Sequence, residues 1–198
     1  MARYTGPKWR ISRRENASVF GDEKWKKRQT LPGQHGTSMR RPSNYNIQLR
    51  EKQKVKRTYG LLEKQFRNLY SKATAELGNT GTRLLQLLEL RLDNVLYRLG
   101  FGATRDQARQ MVSHGHIRVN GKKLNIPSYT VVVGDEITVK GTDKKESWVS
   151  IVRESNKGNK VPGWLSSSKD GGEVKSVPTR EMIDPSIREQ LIVEFYSR

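Results

Sequence analysis

The sequence has no cysteine, only four tryptophans and four phenylalanines, and no long apolar run. Without cysteine there is no disulfide, secretion finds no support, and a thiolate zinc site is excluded. The most apolar stretch, LLQLLELRL, is far short of the ~20 residues of a membrane span and already carries charge. The opening residues MARYTGPKWRISRR are basic, but no apolar stretch follows them, so they do not read as a signal peptide. Phosphate-binding and dinucleotide-binding glycine loops are missing, as is a nucleophile elbow. The pair Asp135–Glu136 falls in a turn, where solvation explains it. The expectation is a chain that is not an enzyme, needs no cofactor and stays off the membrane.

Histidine is scarce too. His114 and His116 stand two apart, and the third, His35, lies in the amino-terminal region. A zinc site wants four nitrogen or sulfur ligands, or three with an open position. Three scattered imidazoles fall short of that, so no metal is expected. His114 instead suits a helix end, bonding a late carbonyl or reaching out to a phosphate.

What the sequence has in excess is positive charge. Lys and Arg number 38 against 20 acids, a net charge of +18, with a pI near 10.3. Only 33% of residues are apolar, so the core must be lean and the surface wide. A charge of this size repels itself unless a polyanion is present, which makes nucleic acid the first partner to consider and an anionic membrane the second. The excess is uneven: residues 1–60 hold 16 basic and 4 acidic side chains. That gradient is an electrostatic footprint as well as a high pI.

The chain reads as α+β in three parts. Residues 1–42 form a basic extended amino-terminal arm, rich in Gly, Pro and Ser (YTGPK, LPGQHG, RRPSN), with a short helix near residues 8–15. Its Tyr4, Trp9, Phe20 and Trp25 either stack on bases or tack the arm down. Residues 43–90 form a helical domain, on which the terminal segment 181–198 docks. Ser43 caps a helix that Gly60 stops, and a second helix runs from Leu62 to Gly78. A third begins near Thr82 and breaks near Glu89–Leu90. Beyond the break Leu92, Val95, Leu96 and Leu99 follow a helical period, with Arg91, Asp93 and Arg98 expected to point away.

Residues 91–180 form a module plus a β-rich extension. Thr104 with Gln107 fits a capping box, so a helix starts at Arg105 and ends at Gly115. Ile117 and Val119 alternate with Arg118, and Asn120–Gly121 is a strong hairpin signal. YTVVV and ITVK read as further strands around a GDE turn. Residues 141–180 show little periodicity except SWVSIV, a strand or short helix. Leu191 to Tyr196 reads as a buried strand or a docked terminal segment.

On the helix from Arg105, Arg109 lies one turn further along and Ser113 another. Two guanidinium forks one turn apart suit a phosphate backbone. The expected phosphate-binding face is Arg105, Arg109, Ser113, His114, Arg118 and Lys122, with single changes at Arg105 or Arg109 mild and the pair damaging. Arg50, Lys54, Lys56 and Arg57 are expected to serve the helical domain. Arg3, Lys8, Arg10, Arg13, Arg14, Arg40 and Arg41 serve the arm. Leu92, Val95, Leu96, Ala108, Val112, Ile117 and Val119 are core.

Residues 91–100 and 104–139 resemble the S-four RNA-binding module, in which two helices pack on a small bent antiparallel β-sheet. The signature stands here as Arg91-Leu92-Asp93, then Thr104 before Arg105, Ala108, Val112, Gly115, Ile117, Val119, Asn120 and Gly121. The flanks MARYTGPKWRISRR, PGQHG, LREKQKVKRTYG, QFRNLYSKA and LIVEFYSR resemble the S-four family of small-subunit ribosomal proteins, bacterial and organellar. That resemblance implies a structural ribosomal protein that binds the 5′ region of small-subunit rRNA and acts early in assembly. It also implies a place near the mRNA entry path, contacts with neighbouring small-subunit proteins, and an influence on decoding accuracy. The ribosome would be cytoplasmic, and an organellar one fits equally. Some relatives carry a cysteine zinc knuckle in the arm; this arm has none. Two other readings stay open: an accessory RNA-binding module of an RNA-modifying enzyme, and a DNA-binding regulator using the 105–114 helix.

Overall fold

The computed structural model describes residues 4–21, 24–28, 30–37, 41–140, 148–156 and 161–197. Within them the chain divides into two compact units, residues 1–81 with 185–198, and residues 82–184. Of the candidate RNA-binding residues, Arg3 and Arg40 lie outside the described residues, as does Ser147 of SWVSIV.

The first unit is helical. Helix α1 spans Lys8–Glu15 and stops where Asn16 enters the left-handed region at φ 48°. Helix α2 spans Asn44–Thr58. The Ser43 hydroxyl accepts the Asn46 amide at 3.3 Å, and Gly60 at φ 62° ends the turn that follows. Helix α3, Glu63–Ala75, buries Phe66 and Ala73. The buried face of this helix is short: Leu62 and Leu77, just beyond its two ends, are exposed.

The terminal segment is a helix, not a strand. It is α8, Glu189–Tyr196, numbered by its place in the chain, and it docks on α2. Gln48 donates to Glu194 at 2.8 Å and Lys54 to the Ser186 carbonyl at 2.6 Å. Buried Lys52 sits 4.7 Å from the Phe195 ring and 2.7 Å from a Glu63 oxygen.

The second unit is α+β. Helices α4 (Thr80–Glu89), α5 (Leu92–Arg98) and α6 (Arg105–Ser113) lead into a sheet, the chain entering this unit within α4. The break at Glu89–Leu90 stands where the apolar face shifts. The sheet has the order β2-β1-β3-β5-β4, all antiparallel: β1 Ile117–Val119, β2 Lys122–Lys123, β3 Glu136–Val139, β4 Leu165–Ser167 and β5 Gly171–Val174. Ile117 faces Val139 and Val119 faces Ile137 in register, so one face of the sheet meets Leu92, Val95, Leu96, Ala108 and Val112 in a continuous core. Burying a side chain of this size is worth about 1.5–3 kcal/mol.

Two expectations are corrected. YTVVV is not a strand: it makes one isolated bridge, Thr130 to Arg91, and leaves Val132 and Val133 exposed. Of the two readings of SWVSIV, strand or short helix, the helix is the one that forms, as α7, Trp148–Ser155. The β4–β5 hairpin arises in a stretch with little periodicity. It fits because Gly171 and Gly172 lack side chains: a Cβ on Gly171 would lie 1.9 Å from the Ile137 carbonyl oxygen. Finally, Arg91 and Asp93 are 5% and 2% exposed, so they turn inward instead of outward.

Candidate nucleic-acid interface

The interface is built from the loop between α5 and α6, helix α6, and the β1–β2 hairpin. Thr104 caps α6, its hydroxyl accepting the Gln107 amide at 3.2 Å, while Gln107 Oε1 accepts the Ala103 amide at 2.8 Å. The helix therefore starts at Arg105, where the sequence sets it. At the other end the His114 amide still donates to Gln110, and Gly115 turns the chain at φ 73°. The positive φ is what requires glycine here, since the nearest atoms to a Cβ on Gly115 belong to the movable end of the Lys123 side chain.

Beneath the surface lies a polar network. Arg91 donates through Nε and Nη2 to the two Asp93 oxygens at 3.2 and 3.1 Å. Arg109 reaches the same carboxylate, with Nε 2.8 Å and Nη2 2.7 Å from Oδ2. Asn94 donates to Glu89 Oε2 at 2.7 Å and accepts Arg105 Nε at 2.8 Å. Arg98 holds Glu89 through two bonds of 3.0 and 2.6 Å. The Arg105 guanidinium lies 4.4 Å from the centre of the Tyr97 ring.

Arg105 and Arg109 are thus not two equal surface forks. Arg109 is 8% exposed and holds Asp93; Arg105 is half-buried between Asn94 and Tyr97. Ser113 is also half-buried, its hydroxyl donating to the Arg109 carbonyl at 2.8 Å.

The exposed cations come next. His114, Arg118, Lys122 and Lys123 all face solvent. Asn120 and Gly121 turn the hairpin at φ 50° and 76°, the left-handed pair of a tight primed turn. The Asn120 amide group also donates to Asp135 at 2.8 Å and its oxygen accepts the Glu136 amide at 3.0 Å, locking the turn to β3. In the resulting register Arg118 stands directly opposite Lys123. Like charges facing each other across a strand pair lower stability. An anion between them would reverse that sign.

The cations of the first unit keep different company. Arg50 and Arg57 both bind Glu15, whose side chain is fully buried; Arg50 does so at 3.1 Å. Burial raises the Glu15 pKa, and the two arginines only partly oppose it. Lys54 pairs with Glu51 at 2.9 Å and Lys56 with Glu63 at 2.8 Å. Burial works against the charge on Glu63, but hydrogen bonds from Lys52, Lys56 and Tyr196 outweigh it and pull the carboxyl down to about 2. In the arm, Lys8 lies 5.2 Å from the Phe20 ring and Lys24 5.8 Å from Trp9, so these aromatics pack on the arm's own lysines. Arg13 is half-buried, whereas Arg10, Arg14 and Arg41 are exposed.

Among the described residues no three His, Asp or Glu side chains are grouped to hold a metal, and no helix is long and apolar enough to cross a membrane. Lys123 flanks the hairpin with Arg118 and Lys122 in the sequence but is not among the expected site residues; its place opposite Arg118 follows from the two-residue turn. Sequence reasoning missed Asn94 as the acceptor that orients Arg105, for which the helical period gives no signal.

Comparison with known proteins decides the family. Residues 3–89 match the family described as Ribosomal protein S4/S9 N-terminal domain, and residues 90–137 match the S4 domain. The chain is 52% identical to the small ribosomal subunit protein uS4 of Herpetosiphon aurantiacus, with both chains covered in full. It is 51% identical to uS4 of Thermoanaerobacter sp. and 51% identical to uS4 of Akkermansia muciniphila, again over the whole of each chain. The chain belongs to the uS4 family of small ribosomal subunit proteins. The S4 domain match begins at Leu90, where α4 gives way to α5, and takes in the buried network, α6 and the hairpin. The facing cations Arg118 and Lys123 therefore lie inside the matched S4 domain, the segment that the sequence singles out by its signature.

Proposed function

We propose that this chain is a structural, non-enzymatic component of the small ribosomal subunit that binds small-subunit rRNA directly, in its 5′ region. In this reading the protein acts on a cytoplasmic ribosome, nucleates assembly of the subunit body, meets neighbouring small-subunit proteins, and contributes to decoding accuracy near the mRNA entry path. The observation that carries it is the Arg118–Lys123 pair, two exposed cations set opposite each other by the hairpin register. Folded RNA supplies the missing countercharge, since proteins hold RNA helices mostly through phosphates and 2′-hydroxyls.

Each unit carries its own binding residues: Arg105, Ser113, His114, Arg118, Lys122 and Lys123 on the module, and Arg10, Arg14 and Arg41 in the arm. Arg109 serves from beneath, by fixing Asp93 in the first turn of α5, next to the Asn94 that holds Arg105. Between about 6 and 10 phosphate contacts weaken binding about 10³–10⁵-fold from 50 to 200 mM salt.

The test is titration of the protein with a 5′-region small-subunit rRNA fragment over a KCl series, with tRNA and duplex DNA as competitors. A preference for the rRNA with a steep salt slope is expected. Equal binding to all three would reduce the surface to net charge alone.

A further inference from the structure

The end of α6 carries a feature that phosphate binding does not use. Gln107, Gln110, Met111, His114 and His116 line a cleft of about 250 Å³. That is smaller than the ~300–1,000 Å³ typical of pockets for drug-sized ligands, and it matches a single small planar group. The first four residues stand at positions i, i+3, i+4 and i+7, so the helix places them on one face. Met111 is 3% exposed and forms an apolar floor. The His114 and His116 rings are 6.3 Å apart at 31°, two flat aromatic surfaces at the mouth.

The amides set the polarity. Gln107 Oε1 is already bonded to the Ala103 amide, so its side chain turns N–H donors toward any further partner. Gln110 is exposed and can offer both donor and acceptor. Lys123 lies against Gly115, the residue between the two histidines, and so keeps positive charge in the cleft's neighbourhood without lining it. An apolar floor, aromatic rings and amide donors together suit an unstacked base held by its edge. RNA-binding proteins recognise unpaired bases by stacking on rings such as His and by bonding to base edges.

We infer that this cleft receives one unpaired nucleobase of the bound rRNA, stacked on His114 with an acceptor-bearing edge toward Gln107. An edge such as the O6 and N7 of guanine meets that requirement. The inference rests on the rRNA reading above. It adds a contact that reads the base, where Arg118, Lys122 and Lys123 hold only the backbone.

Base stacking and phosphate binding differ in their response to salt, and that difference is the test. The full chain, His114→Ala, His114→Phe and Lys122→Ala are titrated with the same rRNA fragment from 50 to 200 mM KCl. All four proteins are titrated at the same pH. Loss of one stacked base is worth between about fivefold and a hundredfold in affinity.

His114→Ala is expected to lose affinity in that range with the salt slope of the parent, and His114→Phe to keep most of the affinity. Lys122→Ala is expected to lower the slope by about one. His114 is exposed, so its variants should unfold with the parent. Parent-like binding by His114→Ala overturns the cleft while leaving the rRNA reading intact. So does a fall in its salt slope like that of Lys122→Ala, which would make His114 a phosphate contact. Failure of the parent itself to prefer rRNA over tRNA and duplex DNA overturns both.

Discussion

Helix α2 and the β1–β2 hairpin are equally basic to the eye, yet their cations live in opposite circumstances. On α2, Arg50, Arg57, Lys54 and Lys56 each have a carboxylate within reach, from Glu15, Glu51 or Glu63. On the hairpin, Arg118 has a lysine for its cross-strand neighbour. The first set uses charge to fasten helices together. The second holds charge against the preference of the folded chain. A basic face announces a polyanion most clearly where its own acids have not reached it first, so a count of Lys and Arg does not by itself tell α2 from the hairpin.

The largest blow to this comparison falls on the network beneath the hairpin's helix. Asp93→Ala strands Arg91 and Arg109, both nearly buried, without their shared anion. Breaking a buried pair of this kind costs about 3–5 kcal/mol, so urea denaturation should show a large fall in midpoint. Arg109→Ala should also destabilise, by less, because Asp93 keeps Arg91. An Asp93→Ala protein with the parent's midpoint would show that the network is ornamental.

Next comes the hairpin itself. Arg118→Ala with Lys123→Ala should weaken rRNA binding at least tenfold and lower the salt slope by between about one and two, with folding stability unchanged or raised. Filter binding and a thermal melt on the same samples read both quantities. A loss of stability would place these cations with those of α2.

The converse change is smaller. Lys56→Ala should cost no more than about 1 kcal/mol, because its pair with Glu63 is part-exposed. Its rRNA affinity should stay within about twofold of the parent if α2 is a fastening face. A slope reduced by one would return α2 to the interface.

The mildest test uses acid. The folded Glu63 carboxyl is held at about 2 against an ordinary 4.5, so its contribution is complete above pH 4.5 and fades as pH falls toward 2. Glu63→Gln should therefore be less stable than the parent at neutral pH, with the two melting curves converging toward pH 2. Glu15 has the opposite sign: its raised pKa costs stability at neutral pH, and that cost eases as pH falls toward 4.5.

Much of the fold was legible where the instruction is local. Ser43 and Thr104 cap helices with their own hydroxyls, and Asn120–Gly121 takes the two positive φ values a tight hairpin needs. What escaped depends on distant partners. The β4–β5 hairpin owes its place to two glycines that let β5 approach β3, a contact no local period encodes. YTVVV has strand-like residues but no continuing partner. The exposed part of the candidate site, from His114 through Lys122, followed from alternation and turn length. The ion pairs of Arg109, Arg50 and Arg57 leave no local trace, because their acids, Asp93 and Glu15, are 16, 35 and 42 positions away.

The docking of α8 on α2 also fixes an order in time. A chain is made from its amino terminus, and domains generally fold as units while it emerges. Residues 82–184 are all available before Glu189–Tyr196 exists. The unit whose synthesis starts first is therefore the one completed last, and until then Gln48, Lys52 and Phe66 await the partners that α8 brings.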